Sequence, residues 1–260
     1  MVNNNKEKLT TFDDERFIFN LFRKTHSLRI RYNGRYFQCA RVERLLKFPL
    51  YKKSWIDSSK DSKPDFHNDK HHIMMDIMRV DDCVNDINGK HIPNSCERAG
   101  KYMTKYFGHN YKNNLKTCTL FFNADTRNNQ EFNFKGYYEN FKRVLLDHSN
   151  KVEQYRKNHP KCKTCVLFVF DESNAYYQEN PFKSNNPNKK NLIHSCFIDK
   201  QFIEIIRQTK SDFVVWFTFN KSVLNSKGKE IIQPLASIYE VKHIINNGIE
   251  FDPLKLKKVE

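Results

Sequence analysis

Four stretches of strand length are apolar at consecutive positions: Ile73 to Val80 (IMMDIMRV), Cys118 to Asn123 (CTLFFN), Thr164 to Phe170 (TCVLFVF) and Asp212 to Asn220 (DFVVWFTFN). A strand with one solvated face alternates apolar and polar residues. A strand that is apolar throughout needs cover on both faces. The cover is available in the intervening segments. YYENFKRVLLDHSNKVEQYRKNHP, ended by Pro160, and DKQFIEIIRQT both carry apolar residues at helical spacing, and acids 13–15 begin a helix over FIFNLFRKT. Alternating strands and helices of this kind point to an α/β fold with a central sheet flanked by helices.

The N-terminal part adds strands of another type. In LRIRYNGRYFQC, Leu28, Ile30 and Tyr32 alternate with Arg29 and Arg31, Asn33-Gly34 offers a tight turn, and Tyr36-Phe37 follow, so a β-hairpin is expected over 28–39. ARVERLLKFPL reads as a short helix ended by Pro49, residues 51–63 as a loop, and SCERAGKYMTKYFG as a helix from Ser95 to Gly108. With a hairpin ahead of the parallel-looking half, the sheet should be mixed. No repeat and no linker divides the chain, so a single domain over 1–260 is expected, with 1–12 disordered and the Pro- and Asn-rich segment 178–191 an exposed loop.

Composition bounds the partners. Lys and Arg number 45 against 30 Asp and Glu, a formal net charge of +15. A charge of that size attracts polyanions, of which nucleic acid is the commonest, while an acidic protein or a membrane surface would also be attracted. No apolar run approaches the roughly 18–20 residues that cross a bilayer, and MVNNNKEKLTTFDDERF lacks the apolar core of a signal peptide. A cytoplasmic protein without membrane insertion is expected. The odd count of seven cysteines fits reduced thiols, with Cys39, Cys118, Cys165 and Cys196 read as small core residues. There is no Walker loop, no G-x-G-x-x-G and no G-x-S-x-G, which sets aside nucleotide-driven motors and hydrolases with a nucleophile elbow.

Asp76 interrupts the apolar run Ile73 to Val80, and Pro64-Asp65 stands shortly before it. An acid inside a buried strand is costly unless something pairs with it or binds it, and a divalent metal held between Asp65 and Asp76 would do so. Glu43 lies on a preceding helix. This order of helix Glu, Pro-Asp and strand Asp resembles the PD-(D/E)XK nuclease superfamily, known from restriction endonucleases and from nucleases of mobile elements. The resemblance covers about residues 40–80. It implies a restriction-endonuclease-like mixed sheet, with Asp65 as the Pro-Asp acid, Asp76 as the second acid one strand later and Glu43 as the helix glutamate. It also implies Mg2+, or Mn2+, bound by Asp65 and Asp76 for the hydrolysis of phosphodiester bonds. The family places a lysine two residues after the second acid; here that position is Met78, and Arg79 points to the opposite face. Lys63, Lys70 and nearby histidines are candidate substitutes.

Three further groups offer chemistry. His67, His71 and His72 lie among Asp65, Asp69, Asp76, Asp81 and Asp82, residue types that bind zinc or manganese, though without a standard ligand spacing. Cys162-x-x-Cys165, with His159, His194 and Cys196, invites a zinc reading but lacks a typical second ligand pair. Asp171-Glu172 ends a strand, where it would either add acids to the same site or cap a following helix. The expectation is a metal-dependent DNA endonuclease with catalytic Glu43, Asp65 and Asp76. Arg29, Arg31, Arg35, Lys63, Lys70 and Arg79 would hold DNA or RNA. The alternatives are a non-catalytic nucleic-acid-binding protein on the same scaffold, or a basic interaction protein of a phage or mobile element. A protein partner or homodimer is compatible with each.

Overall fold

The computed structural model describes residues 15–58, 64–80, 84–85, 91–92, 134–172, 199–224 and 230–248. Its centre is a seven-stranded mixed sheet. The strands are β1 (Ile30–Asn33), β2 (Ile56–Asp57), β3 (Phe66–Asn68), β4 (Ile73–Val80), β7 (Thr164–Asp171), β8 (Phe213–Leu224) and β9 (Glu230–Glu240), with β5 (Val84–Asn85) and β6 (His91–Ile92) forming a separate two-stranded ribbon. The order across the main sheet is β1-β9-β8-β7-β4-β3-β2. Strands β2, β3 and β4 form an antiparallel meander; β4, β7 and β8 run parallel; β9 is antiparallel to β8 and parallel to β1.

The side-chain alternation expected of a pleated strand sorts the apolar residues onto two faces. On one face lie Met74, Met78 and Val80 of β4, Cys165, Leu167 and Val169 of β7, and Val214 and Trp216 of β8. Helices α4 (Phe134–Ser149), α5 (Val152–Asn158), α6 (Lys200–Arg207) and α7 (Val241–Asn247) cover them with Tyr137, Phe141, Leu145, Phe202 and Ile244. On the other face lie Ile73, Met75, Ile77, Val166, Phe168, Phe170, Val215 and Phe217, covered by α1 (Glu15–Lys24) and α2 (Tyr36–Lys47) through Ile18, Phe22, Val42 and Leu46. Among the described residues, the near-continuous apolar runs of β4, β7 and β8 are therefore strands with a helical layer on each side. Among the described residues no helix is long and apolar enough to cross a membrane.

The hairpin expected over 28–39 does not form. A two-residue hairpin turn of the Asn-Gly kind needs positive φ at both central residues, and neither Asn33 nor Gly34 adopts it. Residues 30–33 instead pair parallel to Ala236–Tyr239, and Asn33 Nδ2 donates to Ser237 Oγ at 2.5 Å. Glu240, at the end of β9, then captures the start of α2. Its carboxylate accepts from the Arg35 backbone N–H at 2.9 Å and from Arg35 Nε at 2.8 Å. Tyr36 and Phe37 thus open a helix, where they are exposed, and do not resume a strand. Glycine is required at 34 for closeness: a Cβ there would sit 2.5 Å from Glu240 Cβ and 3.1 Å from Cys39 Sγ.

Smaller differences have local causes. The expected loop 51–63 contains a helical turn, α3 (Pro49–Lys52), and the two residues of β2, while Pro49 starts α3 after α2 has ended at Lys47. The helical stretch before Pro160 breaks into α4 and α5 around Asn150-Lys151, where the Lys151 N–H turns back to the His148 carbonyl at 3.1 Å. The helix expected over 95–108, the strand over 118–123, the loop over 178–191, the terminal segment 1–12 and Lys63 lie outside the described residues.

Candidate active site

The meander places Asp65 and Asp76 together. Phe66 pairs with Met75 and His67 with Met74, so the next step of the same register sets Asp65 opposite Asp76. Directly opposed residues on antiparallel strands project from the same face. For this pair it is the face of Met74 and Met78, beneath α4 and α5. Both aspartates are 0% exposed. Asp65 is oriented by the backbone of the neighbouring strand: the Ile77 N–H donates to its Oδ2 at 2.8 Å. On the other side of Asp65 the chain is tied to residue 58, whose N–H donates to the Asp65 carbonyl at 2.8 Å and whose hydroxyl donates to the Pro64 carbonyl at 2.7 Å.

Asp76 is held by the helical layer. His148 Nδ1, from α4, lies 2.5 Å from its Oδ2, and the Tyr155 hydroxyl, from α5, donates to the same oxygen at 2.8 Å. Burial, followed by the charge of Asp76, its hydrogen bond and the charge of Asp65, pushes the Tyr155 phenol far above its ordinary range. Tyr155 is therefore a fixed donor at any ordinary pH. That the charges of both aspartates are felt at one phenol agrees with the register in placing them side by side.

Neither His148 nor Tyr155 is singled out by sequence motif. The signal they do leave is positional. Leu145, His148, Val152 and Tyr155 share one helical face across α4 and α5, so two polar groups sit on a stripe whose other members are core residues. Polar groups on such a stripe need a buried partner, and Asp76 is that partner.

Glu43 is not part of this group. It lies on α2, the helix that packs through Val42, Leu45 and Leu46 against the opposite face of the sheet. There the Tyr32 hydroxyl donates to Glu43 Oε2, and Lys47 Nζ sits 3.2 Å from Oε1. Met78, in the position where the family carries lysine, is buried among apolar residues on the face of Asp76. Arg79 points the other way, as its place in the strand requires, and forms an ion pair with Glu172. Asp171 shares the parity of Leu167 and Val169 and so belongs to the Asp76 face, four residues beyond Leu167, the partner of Asp76. The adjacent acids Asp171 and Glu172 thus serve opposite sides of the sheet.

The chain matches no known family, no curated protein and no solved structure.

Among the described residues, the basic side chains expected to hold nucleic acid stand at separate parts of the sheet. Arg29 and Arg31 are exposed at the β1 edge, and Arg35 stands nearby with its guanidinium committed to Glu240. Lys70 is exposed between β3 and β4, near the opposite edge of the sheet.

The weaker metal readings change in a specific way. His71 packs edge-on against Tyr51, and His72 Nδ1 lies 2.9 Å from the Lys161 carbonyl, so each ring is engaged by a segment outside the turn that carries it. Cys165 is fully buried in β7 with its thiol pushed upward by burial, an inert core residue. His67, however, lies against His159 with the rings tilted, their centroids 4.3 Å apart.

Proposed function

We propose that this chain is a metal-dependent nuclease of the PD-(D/E)XK type, hydrolysing phosphodiester bonds in DNA, with His148 in the role that the family gives to lysine. The observation that carries the reading is the Asp65–Asp76 pair. One acid precedes a strand, the second lies opposite it on the next antiparallel strand, and a titratable nitrogen stands 2.5 Å from the second acid. A parallel strand, β7, reached through a helical layer, continues the sheet beyond β4, which is the arrangement expected of a restriction-endonuclease-like fold. The net charge of +15 favours a polyanionic substrate.

The donor set fits a hard divalent ion. Asp65 and Asp76 offer carboxylate oxygens from one face, and magnesium is usually bound by one or two carboxylates plus water and phosphate. Such an ion, when bound, polarises the phosphate and lowers the pKa of the attacking water. The protein's own groups divide the remaining work. The Ile77 N–H fixes the orientation of Asp65, and the Tyr155 hydroxyl, which stays protonated, fixes that of Asp76. His148 Nδ1 lies against Asp76 Oδ2, which orients the ring, and an imidazole so placed is the kind of group that accepts a proton from water during hydrolysis. Glu43 takes no part, being engaged by Tyr32 and Lys47 on the far side of the sheet.

A second reading, a nucleic-acid-binding protein on a scaffold that no longer cuts, is favoured by the complete burial of both aspartates and by Met78. Assays on plasmid, linear and single-stranded DNA with Mg2+ or Mn2+ separate the two, read for both cleavage and binding. Cleavage by the wild type that falls by at least ~100-fold in Asp65→Asn and Asp76→Asn supports the nuclease. Salt-sensitive DNA binding without cleavage supports the second reading. Neither cleavage nor binding overturns both.

A further inference from the structure

We infer that His67, Asp69 and His159 form a transition-metal site, of the class that takes zinc, distinct from the Asp65–Asp76 pair. One ring nitrogen of each histidine and a carboxylate oxygen of Asp69 all lie within 4.8 Å of one another. A tetrahedral zinc ion, with bonds of about 2.0–2.1 Å, holds its ligand atoms about 3.4 Å apart, so a modest inward rotation of three side chains closes the site. Two imidazoles with one carboxylate suit zinc and its first-row neighbours better than magnesium, which prefers oxygen.

Several independent features agree with a ligand at this position. His67 Nδ1 is buried without a hydrogen-bond partner. Buried polar atoms left so are uncommon and call for an explanation. All three residues are only partly buried, so an ion has a path from solvent. The competing contact, Lys161 Nζ at 3.9 Å from Asp69, is an exposed pair of the kind that contributes little and is readily displaced. The Cys162 thiol donates to Asp69 Oδ1 at 3.6 Å and to the Ile73 carbonyl at 3.4 Å, and so is a hydrogen-bonding neighbour of the site. The site therefore has three protein ligands and leaves a fourth position open to water or an incoming oxygen, the pattern of zinc sites that do chemistry or bind a ligand.

Its place in the fold gives it a second consequence. His67 belongs to β3 and Asp69 to the turn that follows, whereas His159 follows α5. These segments already meet through the Lys163 and Thr164 N–H groups, each 3.0 Å from the His72 carbonyl. A metal ion here would tie the β3–β4 turn to the helix that positions Tyr155. The inference stands whether or not Asp65 and Asp76 belong to a nuclease.

The test is zinc binding by the full-length chain, purified with chelator and titrated with zinc alone against a chromogenic competitor. One equivalent should bind. His67→Ala, Asp69→Asn and His159→Ala should each weaken it by at least ~100-fold, the upper end of what loss of a mere supporting residue costs, while His71→Ala should bind as wild type does. If a variant fails to fold, ring-proton NMR of the wild type decides, because zinc must shift the His67 and His159 signals together. Failure of the wild type to bind an equivalent, wild-type affinity in the triad variants, or ring signals that do not move would each overturn the inference.

Discussion

Asp65, just ahead of β3, stands opposite Asp76 of the antiparallel β4, and each is held by a hydrogen bond from a different source: Asp65 by the Ile77 backbone at 2.8 Å, Asp76 by Tyr155 at 2.8 Å. Two acids on one buried face repel unless positive charge or strong donors compensate. The protein supplies donors from the sheet to one and from the helices to the other.

Tyr155→Phe removes a side-chain donor to Asp76, a phenol kept protonated by burial and by Asp76. A hydrogen bond to a charged group contributes about 1.5–3 kcal/mol, so the variant should be destabilised by that amount in urea unfolding, with an unchanged denaturant slope. Unaltered stability would mean that the phenol does not hold Asp76.

Gly34→Ala should destabilise the protein although residue 34 has an ordinary backbone conformation. The added methyl would meet Glu240 Cβ at 2.5 Å and the Glu240 backbone N at 3.2 Å, and neither can move without disturbing β9. Overpacking of this kind typically costs about 1–3 kcal/mol, measurable as a lower unfolding midpoint.

The Glu240–Arg35 contact predicts a pH dependence. Burial works against ionisation of Glu240, but the hydrogen bonds and charge of Arg35 outweigh it and hold the carboxyl below its ordinary value of 4.5. With its folded-state pKa lowered, the unfolded state binds the proton more readily. The contribution is therefore complete above pH 4.5 and is lost as pH falls through the lowered folded value. Urea midpoints measured downward from pH 6 should fall less steeply in Glu240→Gln than in wild type; parallel curves would contradict the assignment.

Nucleic-acid contact should sort the basic residues by their commitments. Arg79 is paired with Glu172, whereas Arg29 and Arg31 are exposed at the sheet edge. Arg29→Ala and Arg31→Ala should each lower DNA affinity and reduce the salt slope by about 0.9, the value for one phosphate contact, and Arg79→Met should leave the slope unchanged. A slope that responds to Arg79 alone would place the surface elsewhere.

How far these relationships were legible in the sequence depends on their range. Strands β4, β7 and β8 could be read because a strand covered on both faces has no polar alternation, a purely local property. The Asp65–Asp76 pair was legible from an acid in a buried strand and a Pro-Asp ahead of it. Asn33-Gly34 misled because its turn preference is local, while its actual partners, Ser237 and Glu240, are supplied by a strand about 200 residues away. Glu43 has the right residue type on the right kind of helix, but which face of the sheet that helix covers is a tertiary choice. His148 and Tyr155 were visible only as polar members of an apolar helical face, and the His67–Asp69–His159 group joins residues whose separation obeys no ligand spacing.

The double-mutant cycle of Asp65→Asn and Asp76→Asn, read as the single-turnover rate of Mg2+-dependent DNA cleavage, tests the central claim most directly. Residues that act as one centre are strongly non-additive. Each single variant should lose at least ~100-fold, and the double variant should be scarcely slower than either. Cleavage by Asp76→Asn at the wild-type rate, or two independent losses that multiply in the double variant, would contradict the assignment of this pair as one catalytic centre.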